Sequence, residues 1–309
     1  MQIIFPRNFQ YSFILFICLF FSVRISAGEP AQRVHSAEIH IVYTSNLNCQ
    51  FDDCKCGGNL VGGFTRIATL FDSIKTAHPN NLILLDGGDF MSSYPLADAN
   101  KVMLQIMTQG NYDAQIFGDQ EFVEGENFIF GITRDLTVKL PFVTTNLLLP
   151  GNIKKKIPRV KMVIVMGIKI AIMGVIHPEA FDFIQTTPML TEPISSVTTL
   201  ALEISGESDI QILLFHGSWT NAQKMVEKNP WIDVVVMSHN QLKEFRKTGN
   251  TAFVESGVDG EYIGYLTLEI GRNSLKFSNQ FIPVTANIQE NKTIKDIAKK
   301  YYDNLDKHK

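Results

Sequence analysis

The chain has 309 residues, 45% of them hydrophobic and 19% charged, with 28 basic side chains against 31 acidic ones and a formal net charge of −3. Those proportions exclude an intrinsically disordered chain. The basic residues are dispersed apart from Lys154 to Lys156, which excludes the electropositive footprint of a nucleic-acid polymer binder.

The first stretch, "MQIIFPRNFQYSFILFICLFFSVRISAGEP", has a basic start at Arg7, an apolar run from Phe13 to Val23, and small residues at Ser26, Ala27 and Gly28. It reads as a secretory signal over residues 1–27, cut after Ala27. The rival reading is an uncleaved membrane anchor, although the run is short for a hydrocarbon layer of roughly 30 Å. Cys18 lacks the small preceding residue of a lipoprotein cleavage site. No later segment is long and apolar enough to span a bilayer, so the expected location is exported, periplasmic or secreted. The rest suits one large domain, taken as 36–290, followed by an amphipathic helix over 291–309.

Export permits disulfides. The three remaining cysteines, Cys49, Cys54 and Cys56, share one loop, and three cannot all pair internally. A bridge from Cys49 to Cys54 or Cys56 avoids the ring strain of a Cys54–Cys56 link. A thiolate contact to a soft metal is the other reading.

Further along, short β-branched runs alternate with helical periodicity, as in layered α/β architecture. Candidate strands are "EIHIVYTS", "NLILLDGG", "YDAQIF", "FVTTN", "KMVIVMG", "IKIAIMGVI", "IQILLFHG", "WIDVVVMSH", "TAFVESG" and "IGYLTLEIGR". In "GFTRIATLFDSIKTA" the spacing puts Ile67, Leu70, Phe71 and Ile74 on one helix face, and "SWTNAQKMVEKNP" and "TIKDIAKKYYDNLDKHK" are further helices. No internal repeat is present, and the pattern leaves oligomeric state open.

The residues able to do chemistry sit at strand carboxyl ends: Asn46 and Asn48, Asp89, Asp119, His216, and His239 with Gln241. In open α/β sheets that edge is where ligands bind, so one shared crevice is expected. The plain alternatives are a turn former for Asp89, satisfied core histidines for His216 and His239, and ordinary turn residues for the asparagines. Arg66, inside a helical pattern, reads as an ion-pair partner, and Glu121 as a local cap.

Seven ordered blocks, "IVYTSNLN", "GGFTRIATLFDSI", "LILLDGGDF", "YDAQIFGDQEF", "VTTNL", "LLFHGS" and "IDVVVMSHNQ", make roughly Glu38 to Ile288 resemble the calcineurin-like metallophosphoesterase domain of the exported 5′-nucleotidase and UDP-sugar hydrolase family. The resemblance implies a four-layer α/β/β/α sandwich and a small phosphorylated substrate or ligand. It also implies two divalent metals bridged at Asp89. The family's second metal maps onto Asp119, His216 and His239. Its first maps onto Asn46, Asn48 and Gln241, where neutral amides stand for an Asp and a His, so these are at most weak ligands. One divalent ion (Zn, Mn or Fe) is therefore expected, and a second is doubtful.

The family's catalytic His and its Asp partner correspond to Gln120 and Val123. Gln120 is a weak replacement, because it cannot exchange a proton near neutral pH, and general-acid help of about 10²–10⁴-fold is expected to be lost. The two-domain relatives contact the nucleotide through a C-terminal domain, while this sequence stops at Lys309, so nucleotide specificity does not carry over. Cys54-Lys55-Cys56-Gly57 is similar to an insertion in some exported bacterial relatives. The expected function is a weak, one-metal phosphoester hydrolase, with a catalytically inactive binding module as the alternative.

Overall fold

A computed structural model describes residues 37–53, 61–135, 141–184 and 187–307. The leader segment and Cys54 and Cys56 lie outside the described residues. In chain order the elements are β1 (Ala37–Thr44), α1 (Phe64–Ala77), β2 (Leu82–Asp86), α2 (Ala97–Met107), β3 (Ala114–Gln115), α3 (Glu126–Asp135), α4 (Gly151–Lys154), β4 (Val160–Val165) and β5 (Ile168–Ile176). They continue with α5 (Pro193–Glu203), β6 (Ile210–His216), α6 (Trp219–Lys228), β7 (Val234–Ser238), β8 (Lys243–Thr248), β9 (Thr251–Ser256), β10 (Tyr262–Gly271), β11 (Ser274–Pro283) and α7 (Lys292–Lys307). None of the described helices is long and apolar enough to cross a membrane.

The strands form two mixed sheets, ordered β11-β10-β1-β2-β3 and β4-β5-β6-β7-β9-β8. Successive side chains on a strand point to opposite faces, and here both faces are apolar. Ile39, Ile41, Ile83 and Leu85 from the first sheet pack against Ile170, Ile172, Ile212, Leu214, Val234 and Val236 from the second. The outer face of the first sheet, with Val42 and Leu84, is covered by Phe64, Ile67 and Phe71 of α1, Met103 and Leu104 of α2, and Ile294 and Ala298 of α7. The outer face of the second, with Leu213, Phe215, Val235 and Met237, is covered by Val197 and Leu200 of α5 and Ala222 and Met225 of α6. The result is the expected four-layer α/β/β/α sandwich, with a core on each side of each sheet.

Parallel pairing of β1 with β2 and of β5, β6, β7 and β9 with one another sends their carboxyl ends to one edge of each sheet. Hydrogen bonds join the two edges: Ser45 Oγ donates to the Met237 carbonyl at 2.7 Å, and the single Ser238 hydroxyl hydrogen is shared between Asn46 Oδ1 at 2.7 Å and the Gly88 carbonyl at 3.1 Å. The loops that follow β1, β2 and β7 therefore meet.

One expected strand is absent. "FVTTN" contributes only an isolated bridge from Phe142 to Gln115. The backbone N–H groups of Val143, Thr144 and Thr145 go to three different carbonyls, of Gln115, Pro158 and Gly174, so no ladder propagates. Conversely β8 and β11 went unread, since both are edge strands with exposed polar faces.

Tyr43 fills the space over Gly264, its register partner on β10, and donates its hydroxyl hydrogen to Asn279 Oδ1 at 3.0 Å. A Cβ at Gly264 would overlap the Tyr43 ring. Gly264→Ala is expected to destabilise the fold by about 1–3 kcal/mol through this overpacking. Guanidinium unfolding should show a lower midpoint at an unchanged slope.

Candidate metal centre

The floor of the site is built from backbone. Glu121, fully buried in the short 3-10 turn Gln120–Phe122, turns its carboxylate onto four backbone N–H groups. Oε1 accepts from Phe90 and Met91 at 3.0 Å each, and Oε2 accepts from Asp89 at 3.0 Å and from Gly118 at 2.5 Å. The sequence expectation of a local cap is met, with a wider reach than one turn. Asp86, the last residue of β2, supports the same loop. It accepts from Thr44 Oγ1 at 2.5 Å and from the Gly88 N–H at 3.0 Å, and burial pushes its carboxyl up to about 8.

This framework brings Asp89, Asp119, His216 and His239 together, with one ligand atom from each lying within 4.8 Å of the others. Asp119 Oδ1 is 2.8 Å from His216 Nε2 and 3.1 Å from His239 Nδ1, and Asp89 Oδ1 is 3.4 Å from His216 Nε2. Gly118 is required here, since a Cβ would overlap Asp89 Oδ1 and crowd His216. The Asp89 side chain is further held by the Gln120 N–H at 3.1 Å.

Charge explains the arrangement. His216 Nδ1 donates to the Gly87 carbonyl at 3.2 Å, so a neutral His216 turns the lone pair of Nε2 toward two carboxylates, with only the Asp119 N–H, at 3.4 Å, donating to it. Such a convergence of acceptors demands a positive species, either a proton or a cation. Burial disfavours imidazolium, yet Asp89, Asp119 and Glu121 outweigh it and push His216 up to about 10. Burial likewise opposes ionisation of Asp119, but its hydrogen bonds from His216 and His239 hold it below the usual carboxylate range. Asp89 is raised well above that range by burial, against the opposing pull of His216. Two carboxylates and two imidazoles suit a borderline divalent ion, so the donor set fits one.

The neighbouring position is different. Asn46 Nδ2 donates to Glu255 Oε1 at 3.0 Å and to the Gly257 carbonyl at 2.9 Å, while Oδ1 accepts from Ser238 Oγ at 2.7 Å and from the His239 N–H at 2.8 Å. An amide has two donors and two acceptor directions, and all are used. Asn48 Nδ2 donates to Asp259 Oδ1 at 2.8 Å, and Asn48 Oδ1 accepts from Gln120 Nε2 at 2.9 Å. Gln241 is exposed at the outer end of its loop.

No protein-family profile matches the chain. It is 26% identical over 305 residues to the snake venom 5′-nucleotidase of Naja atra, covering 84% of this chain and 56% of the venom protein. The solved structure of the 5′-nucleotidase precursor from Thermus thermophilus is similar with a TM-score of 0.74 at 17% identity, over 87% of this chain and 59% of that one. The calcineurin-like phosphoesterase YfkN from Bacillus subtilis is similar with a TM-score of 0.67 at 17% identity, over 87% of this chain and 98% of that one. The chain shares the metallophosphoesterase fold and is similar in sequence to 5′-nucleotidases. It spans about half the length of the curated relatives it matches.

The cleft is lopsided: Asp89, Asp119, His216 and His239 form a charged donor set, while the neighbouring Asn46 and Asn48 are amides engaged with protein. Both lone-pair directions of Asn46, expected as at most a weak ligand, receive protein hydrogens. Gln120 sits at the expected place, but its amide hydrogen is directed at Asn48, and Oε1 is buried without a partner among the described residues. Arg66 is buried and pairs with Asp53 and, at 3.5 Å, with Glu290, as an ion-pair partner would. Cys49 stands as a free thiol, pushed up to about 12 by burial.

Sequence reasoning passed over Glu255, Asp259 and Asp86. The available signal for Glu255 was an acidic residue inside the apolar strand "TAFVESG".

Because His216 is raised from 6.5 to about 10 in the folded state, its contribution to stability is full below about 6.5 and is lost as pH rises through about 10. Chelator-treated protein should therefore lose thermal stability across that window. His216→Gln should flatten the profile, and saturating Mn²⁺, which takes the place of the proton, should flatten it in the unmodified protein. Thermal midpoints at half-unit pH steps, with EDTA or with metal, test this.

Proposed function

We propose that the domain is a phosphoester hydrolase that uses one divalent ion, held by Asp89, Asp119, His216 and His239, on a small phosphorylated substrate. The observation that carries this reading is the convergence of those four side chains beside a second position whose amide is fully hydrogen-bonded. When bound, such an ion supplies Lewis acidity and lowers the pKa of a coordinated water to about 7. The chain's own contribution is placement. Gly87 fixes the His216 ring, Glu121 fixes the Asp89 loop, and Asn46 fixes the backbone of His239.

The activity is proposed to be weak. Gln120 cannot carry a proton to a leaving oxygen, and its side-chain amide is directed at Asn48. The same observation favours the second reading, a catalytically inactive module that binds a phosphorylated ligand in the cleft. Export to the periplasm or outside the cell, with residues 1–27 as signal, 36–290 as the domain and 291–309 as a terminal helix, is proposed from the sequence.

Hydrolysis of p-nitrophenyl phosphate, bis-p-nitrophenyl phosphate and AMP with Mn²⁺, Zn²⁺ or Co²⁺ separates the two readings. The expected result is slow metal-dependent turnover that Asp89→Ala and Asp119→Ala each reduce at least about 100-fold. Absence of turnover with every metal would favour the binding module.

A further inference from the structure

Glu255 is a buried carboxylate that the proposed chemistry does not use. It lies on β9, where every residue is buried, and is itself fully inaccessible. No described side chain forms an ion pair with it. Its partners are neutral donors: Oε1 accepts from Asn46 Nδ2 at 3.0 Å, and Oε2 accepts from Trp219 Nε1 at 3.2 Å and from Asn240 Nδ2 at 3.3 Å. A buried carboxylate is costly unless its oxygens are fully engaged, and here donors from three separate loops or helices engage them.

We propose that Glu255 and Asn46 form a clamp that closes the neighbouring cation position and positions His239. The inference rests on the one-cation reading above and adds the residue that enforces it. Glu255 Oε1 and the Gly257 carbonyl both face Asn46, and both are acceptors. Position 46 must therefore present two N–H groups on that side, which an amide has and a carboxylate lacks. With the amide so oriented, its oxygen is turned onto Ser238 Oγ and the His239 N–H, and no lone pair is left for an ion. The ends of β1, β7 and β9 are thus tied by hydrogen bonds. His239, whose φ is +94°, owes its backbone placement to a chain that runs from Glu255 through Asn46. Glu255 is in this sense a positioning residue.

The test is a double-mutant cycle on the whole chain, with an ion count and a spectroscopic reading. In EDTA, Asn46→Asp sets acceptor against acceptor and should lower the thermal midpoint by roughly 10 °C, the scale of an uncompensated buried charge. Asn46→Asp with Glu255→Gln should recover at least half of that loss, because the new amide donates to position 46 while its oxygen keeps Trp219 and Asn240. In Co²⁺-loaded protein, Glu255→Gln should shift the visible absorption bands although Glu255 is no ligand. Should the aspartate variants fail to fold, a cycle on Asn46→Ala and Glu255→Ala reads the same coupling.

Elemental analysis of the unmodified chain separates the two ideas. Two tightly held ions per chain would remove both the one-cation reading and the clamp. One ion per chain, with additive stability effects or an unmoved Co²⁺ spectrum, would leave the first standing and overturn the second.

Discussion

The candidate centre depends on a carboxylate that belongs to no ion pair in it. Glu121 collects four backbone N–H groups, three of them from consecutive residues 89–91 and one from Gly118. Buried N–H groups without acceptors are strongly unfavourable, so this one side chain decides the path of two loops at once. Asp89 is held with φ at +58°, a conformation that a non-glycine residue adopts only when its surroundings impose it. Once Asp89 is fixed there, the bare backbone of Gly118 lets its carboxylate and the His216 ring approach together, and Asp119 follows one residue later. The placement of three of the four charged side chains is thus a consequence of how a local backbone demand is met.

The layered fold was legible because its central strands are apolar on both faces. Runs such as "IQILLFHG" and "WIDVVVMSH" are short and β-branched and so read as buried strands, and their polar ends mark the sheet edge. The edge strands were not legible. Lys243–Thr248 has charged residues at four of its six positions, and its partner on one side is solvent, so its pairing with β9 is set by tertiary contact. Nor was α2, whose first turn has no side-chain cap, so the usual start signal is missing. "FVTTN" failed in the opposite sense: its β-branched composition favours a strand, but its N–H groups are claimed by three different partners. Local propensity yields to such competition.

At the site, residue identities were legible and their roles only partly so. The Asp and His positions could be read from strand ends, because charged and imidazole groups there have few other uses. Whether Asn46 serves an ion or a hydrogen-bond network depends on Glu255, more than 200 residues away in sequence. No spacing rule reaches that far. Glu121 read as a local cap because its turn is local, while its reach to the Asp89 loop exists only after β2 and β3 pair.

The two halves of the cleft solve the same problem with different means. Around His216 two carboxylates meet an imidazole nitrogen with only the backbone N–H groups of Asp119 and Gln120 donating among them, an arrangement that favours a proton or, on the proposed reading, a cation. On the proposed one-ion reading, metal affinity would be coupled to pH, because an ion would compete with the proton that Asp89 and Asp119 favour on His216. Around Asn46 donors and acceptors are matched within the protein. A cation entering there would have to break at least one buried hydrogen bond and gain only a neutral amide oxygen in return. The site's asymmetry therefore follows from donor and acceptor counting.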